Sequence, residues 1–266
     1  MDTVEVISRF PAPALGRSGR HRAALPYRVM GLAVLALVVA AGAGAADPAA
    51  SPLRVAVASN FRGAIEELAA AYTARTGVSV TISSAASGVL AAQILRGAPF
   101  DLFFAADRDR ARAIVNARRA AGSAVCYARG RLVLLGADDL GAALADRERS
   151  IAIANPRSAP YGAAAAAVLQ RAGFAGPDQR RVLRGGNVQQ ALQFFDSGAA
   201  QLALVARSLA GDRGIAVPAA WHPPIDQYAV VIDRGAANAV AEDFLRTLDS
   251  DEARRALASR GYEPCP

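Results

Sequence analysis

The sequence predicts an α/β fold in two lobes, each a mostly parallel sheet flanked by helices, joined by two hinge crossings. Three observations carry this. From residue 53 onward, short apolar or β-branched runs alternate with stretches of helical periodicity, and that alternation builds parallel sheets covered on both faces. Two extended runs, 123–137 and 225–232, are placed to carry the chain from one sheet to another. The chain has 266 residues, 53% hydrophobic and 20% charged, which suits one large or two smaller packed domains and excludes disorder.

The elements follow in order. Arg9, Arg17, Arg20, Arg22 and Arg28 precede the apolar run 29–46, which ends in the small residues Ala43 and Ala45. Residues 1–46 therefore read as a secretory signal peptide cleaved near Ala45 or Ala46. A retained anchor is the alternative, because the run approaches the ~20 residues that a span needs. "LRVAVAS" (53–59) reads as a strand, 61–76 as a helix stopped by Gly77, and "VSVTISS" (78–84) as a second strand. Next come a helix over 88–97, a strand over 101–106 and a charged helix over 107–119. After the extended run 123–137, "SIAIAN" (150–155) is a strand and 162–173 a helix. Residues 179–185 are extended, 188–199 helical, and 200–206 a strand. Prolines break 214–224 before another strand, and 237–261 is helical in two pieces divided near Asp249 and Ser250. Two crossings make the first lobe discontinuous: 47–127 plus 230–266, enclosing a second lobe over 128–229.

Composition narrows the function. The formal net charge is +7, all 30 basic positions are arginine, and part of the excess lies in the leader. The remainder is mildly basic with no dense basic run interleaved with aromatics, so nucleic acid is not an expected partner. Cys126 and Cys265 are the only cysteines. In an exported protein an even pair suggests one disulfide, with two buried free thiols as the alternative. Their spacing excludes a C-x-x-C metal or redox motif, and no cofactor or cation site is expected. An exported hydrolase would need an activated nucleophile. His222, the one histidine beyond the leader, sits in "AWHPP" beside no nucleophile motif and reads as a loop residue. Glu66–Glu67 and Asp138–Asp139 read as solvated surface, since adjacent helical residues do not share a face.

The residues at the helix starts carry the chemistry. Ser59 and Asn60 precede the first helix, Ser87 the second, Tyr161 and Gly162 one in the inner lobe, and Asn187 and Val188 the next. Small polar residues there read first as caps. Each of these helices also begins at a strand's carboxyl end, where open α/β sheets bind ligands. Helix starts offer unpaired N–H groups and a positive dipole end. Several facing one cleft would hold an anion without a charged side chain. Donors alone favour a fully ionised oxyanion over one that keeps a proton.

"RVAVASNFRGAIEELAAAY", "SSAASGVLAAQILRGAPFDLFFAAD", "IAIANPRSAPYGAAAAAVLQ" and "GGNVQQALQFFDSGAAQLALVA" together resemble the periplasmic molybdate-binding proteins of ABC importers, in that family's order and spacing. The resemblance covers nearly all of the chain after the leader. It implies a two-lobed periplasmic-binding-protein fold, no enzymatic activity, and an oxyanion, molybdate or tungstate, held between the lobes by neutral donors. It implies as ligands Ser59, Asn60, Ser87, Tyr161 and the backbone N–H of Val188. Many family members carry a tyrosine in the segment that here reads "LALVARSLA"; this chain has Ala206 there and a tyrosine at 161 instead. A monomer delivering its anion to an inner-membrane permease is the implied role. Sulfate, thiosulfate or a small carboxylate is the alternative guest.

Overall fold

The computed structural model describes residues 51–266 apart from Ala172; the leader expected over 1–46 lies outside the described residues. Among the described residues ten strands and nine α-helices follow one another. The first sheet takes β1 (Leu53–Ala58), β2 (Val80–Ala85), β3 (Leu102–Ala105), β4 (Val125–Gly130) and β10 (Ile225–Val231). The second takes β5 (Leu132–Leu135), β6 (Ile151–Ala154), β7 (Val182–Gly185), β8 (Leu202–Ala206) and β9 (Ile215–Ala216). The helices are α1 (Arg62–Thr76), α2 (Ser87–Leu95), α3 (Arg108–Asn116), α4 (Leu140–Ala145), α5 (Pro160–Leu169), α6 (Val188–Asp196), α7 (Arg207–Ala210), α8 (Asn238–Arg246) and α9 (Asp251–Ser259).

The first sheet has the order β2-β1-β3-β10-β4, the second β7-β6-β8-β5-β9. In each, one strand runs against the other four: β10 is antiparallel to β3 and β4, and β5 to β8 and β9. Period-two alternation explains how the first sheet is buried on both sides. Val55, Val57, Leu102 and Phe104 face one apolar cluster, while Ala56, Phe103 and Ala105 face the other. Helix α1 covers the first of these faces with Ala64, Ile65, Ala69 and Tyr72, spaced to share one side. It stops at Gly77, whose φ of 74° is left-handed and whose N–H bonds to the Thr73 carbonyl.

The run 123–137 is two strands. β4 ends at Gly130 in the first sheet, and β5 begins at Leu132 in the second. The chain returns through β10, which pairs with β4 from Ile225↔Gly130 onward. This antiparallel pair is the structural link between the sheets. Its ladder shifts register at Gln227/Tyr228, leaving Tyr127 without an opposite residue. Cys126 is bonded to Cys265, and Arg129 and Glu263 exchange main-chain hydrogen bonds of 2.7 and 2.9 Å. Helix α4 has no counterpart in the sequence expectations. Asp139, read there as solvated surface, is exposed and caps this helix, accepting from the Ala142 N–H at 2.7 Å. Among the described residues no helix is long and apolar enough to cross a membrane.

Candidate functional site: a cavity of neutral donors

The strand-to-helix turns of both sheets converge. One small cavity is lined by Ser59 and Asn60 after β1, Ser87 after β2, Pro160 and Tyr161 of α5, and Val188 of α6, with alanines between them. The structure thus brings together all five residues expected at the site. No lining side chain is charged. The cavity is small, with room for about one water-sized sphere, far below the ~300–1,000 Å³ typical of organic-ligand pockets. Two larger grooves are lined by α1 and α9, and by β4, α8 and α9. Neither gathers donors from both sheets.

Each residue is presented by its own element. The Ser59 N–H completes the β1 ladder to the Ala85 carbonyl at 3.0 Å, and its hydroxyl has no partner among the described residues. Ser87 is the first residue of α2, not its cap; that place belongs to Ala86, which offers no side-chain bond. The fully buried Ser87 oxygen accepts from the Ala106 N–H at 2.9 Å. Its own hydrogen is therefore free to be donated. Tyr161 is the second residue of α5, behind Pro160, so Tyr161 and Gly162 lie inside the helix rather than before it. Asn187 does cap α6, accepting from the Gln190 N–H at 3.0 Å. Among the described residues, the main-chain N–H groups of Asn60, Ser87, Tyr161 and Val188 find no carbonyl, as the first turn of a helix leaves them.

The two sides touch around the cavity. The Gly88 N–H donates to the Ser158 carbonyl at 2.9 Å, and the Ser208 hydroxyl donates to the Asn60 carbonyl at 3.0 Å. A Cβ on Gly88 would lie 2.9 Å from that same Ser158 oxygen, so glycine is what permits the approach. Ala206 is fully buried at the end of β8, and the segment after it contributes Ser208 instead of a tyrosine.

A polar network that the sequence reasoning missed lies behind the cavity. The Asn60 amide nitrogen donates to Gln227 Oε1 at 2.8 Å and to the Tyr262 hydroxyl at 3.1 Å. Its Oδ1 is buried without a partner among the described residues. Tyr262 donates to the Asn60 carbonyl at 2.8 Å. Burial holds the phenols of Tyr127 and Tyr161 well above their usual range, reinforced by neighbouring tyrosines; burial also raises Tyr262. All three stay neutral donors. Burial raises Asp107 as well, against the pull of the Arg110 N–H that it caps. The available signal for Gln227 was its position: a polar residue in the buried phase of β10, between Ile225 and Ala229.

His222 stands beyond a short turn, its Nδ1 2.8 Å from the Pro223 carbonyl oxygen. Glu66 and Glu67 are exposed and pair with Arg62 and Arg260.

Two α/β layers enclosing a neutral, donor-lined hollow define a solute-binding protein. Residues 53–263 match the family described as bacterial extracellular solute-binding protein, and the chain belongs to that family. It is 38% identical over 243 residues to the molybdate-binding protein ModA of Rhodobacter capsulatus, covering 87% of this chain and 95% of that protein. It is 36% identical over 249 residues to ModA of Azotobacter vinelandii, covering 88% and 99%. Among solved structures, the periplasmic molybdate-binding protein of Azotobacter vinelandii aligns with a TM-score of 0.72 and 35% identity, over 80% of this chain and 100% of that one. The sulfate-binding protein SubI of Mycobacterium tuberculosis shares the fold, with a TM-score of 0.64 at 17% identity over 81% of this chain and 87% of that one.

Proposed function

We propose that this protein is the exported, non-enzymatic binding component of an ABC importer, capturing molybdate and tungstate in the periplasm for delivery to an inner-membrane permease. The observation that carries the reading is the small, uncharged cavity lined by buried residues at helix starts from both sheets. Relatives with 36–38% identity that are named for molybdate support the choice of anion. The grip consists of the Ser59, Ser87 and Tyr161 hydroxyls and the N–H groups of Asn60 and Val188. The Asn60 side chain serves as scaffold rather than ligand, because its amide hydrogens are spent on Gln227 and Tyr262. The leader 1–46 directs export and is removed near Ala45 or Ala46. The mature monomer has lobes 47–127 plus 230–266 and 128–229, and β4 and β10 run through both boundaries as the hinge. Anion contacts to both lobes favour the closed state.

A thermal-shift panel of molybdate, tungstate, sulfate, thiosulfate and phosphate tests this. A ligand held only by the native state raises the melting temperature, by about 4 kcal/mol of stability at a thousandfold excess over Kd. Molybdate and tungstate are expected to give the largest shifts. Phosphate is the informative control, because Asn60 Oδ1 is a spare buried acceptor among otherwise donating side chains. A shift with sulfate or phosphate alone would overturn the reading.

A further inference from the structure

We propose that Gln227 is a positioning residue of this site, acting through Tyr161 to turn its phenolic hydrogen toward the anion; the inference rests on the reading of the cavity given above. Gln227 is fully buried on β10, the strand that links the two sheets. Its Nε2 donates to the Tyr161 oxygen at 3.3 Å. A side-chain amide nitrogen can only donate, so the phenol must accept there, and its single hydrogen is left for another acceptor.

With the Asn60 amide held by Tyr262, which accepts from its Nδ2 and donates to its main-chain carbonyl, the Gln227 amide has one orientation that suits its neighbours. Oε1 accepts from Asn60 Nδ2 at 2.8 Å and from the Tyr127 hydroxyl at 2.9 Å. Turning the amide over would aim its N–H groups at the Asn60 amide hydrogens. Tyr127 reaches Gln227 from the unpaired position of the β4 bulge, a place where strands commonly re-aim a side chain. Tyr262 holds Asn60 from the other side. Gly130 supplies the room: a Cβ there would strike the Tyr161 hydroxyl and come within 2.7 Å of Gln227 Nε2. Gln227 and Asn60 belong to the first sheet, whereas α5, which carries Tyr161, packs in the core of the second. The amide, on a strand of the first sheet, therefore orients a donor carried by a helix of the second.

The test is calorimetric titration of the mature protein with molybdate and with tungstate, comparing wild type, Tyr161→Phe, Gln227→Met and the double variant. Gln227→Met is expected to weaken binding about tenfold, as loss of one well-aimed donor to a charged group does. In the Tyr161→Phe background the same change is expected to cost less than about twofold, because coupled residues are not additive. A purely structural role for Gln227 would give losses that multiply, and that result overturns the proposal, as does wild-type affinity in Gln227→Met. If Gln227→Met does not melt cooperatively, Gln227→Glu decides. Its carboxylate still satisfies Asn60 and Tyr127 but takes the Tyr161 hydrogen for itself, so it must lose at least tenfold. Wild-type affinity in Gln227→Glu overturns the proposal too. Wild-type protein that binds neither anion sinks the functional reading and this inference together; wild-type binding with indifferent Gln227 variants sinks the inference alone.

Discussion

At Ser87 the lone pairs already receive the Ala106 N–H. Replacing the hydroxyl by hydrogen removes a donor from the cavity and strands a buried backbone group. Ser87→Ala is expected to weaken molybdate binding by about 1–3 kcal/mol, measured by calorimetry; unchanged affinity would remove Ser87 from the grip. Gly88 is a different kind of contact. Its missing side chain lets α2 meet Ser158 directly, and a Cβ would lie 2.9 Å from the Ser158 oxygen and 3.2 Å from its Cα. Gly88→Ala should prop the cleft and release the anion roughly tenfold faster, since overpacking costs on the order of 1–3 kcal/mol. Stopped-flow dissociation reads this, and a release rate equal to wild type would show that the two sides need not touch there. Ser59, Ser87 and Val188 were legible in the sequence because each marks a strand running straight into a helix. Gln227 was not. Its partners Asn60, Tyr127 and Tyr161 lie 167, 100 and 66 residues away in sequence, and no local pattern announces a contact of that range.

The elements themselves were legible for a simple reason. Strands buried on both faces are written as unbroken apolar runs, as in "LFFA" and "LVLL". Two features escaped. Helix α4 has six residues, too few for a period to register. The point at which the crossing expected in 123–137 passes from β4 to β5 hides behind Gly130 and Arg131, because a strand that ends in one sheet reads like one that continues into the next. The Cys126–Cys265 bond closes a separation of 139 residues and anchors the strand β4. Replacing both cysteines by serine should lower unfolding stability by about 2–5 kcal/mol. A denaturant midpoint equal to wild type would mean that the Arg129–Glu263 main-chain pair suffices to hold that segment.

For the molecule as a whole, three buried phenols set an alkaline limit. Tyr127, Tyr161 and Tyr262 are raised by burial above the usual tyrosine range. Above pH ~10 the unfolded chain ionises while the folded one stays protonated, so the folded state binds more protons and stability falls as pH rises. Below pH ~10 this stability is fully present. The melting temperature should therefore be insensitive to these groups between neutrality and that point and decline beyond it. Tyr127→Phe should flatten the decline, and an unaltered slope in that variant would exclude Tyr127 as a source. The proposed grip draws on the N–H groups of Asn60 and Val188 as well as on hydroxyls. Two of the five contacts are then beyond the reach of a codon change at the residue concerned: a threonine or isoleucine in place of Val188 would present the same amide. Retuning such a protein for a new cargo calls for sliding whole helices by fractions of an ångström rather than exchanging side chains. Sequence drift within the pocket is correspondingly a poor guide to altered preference.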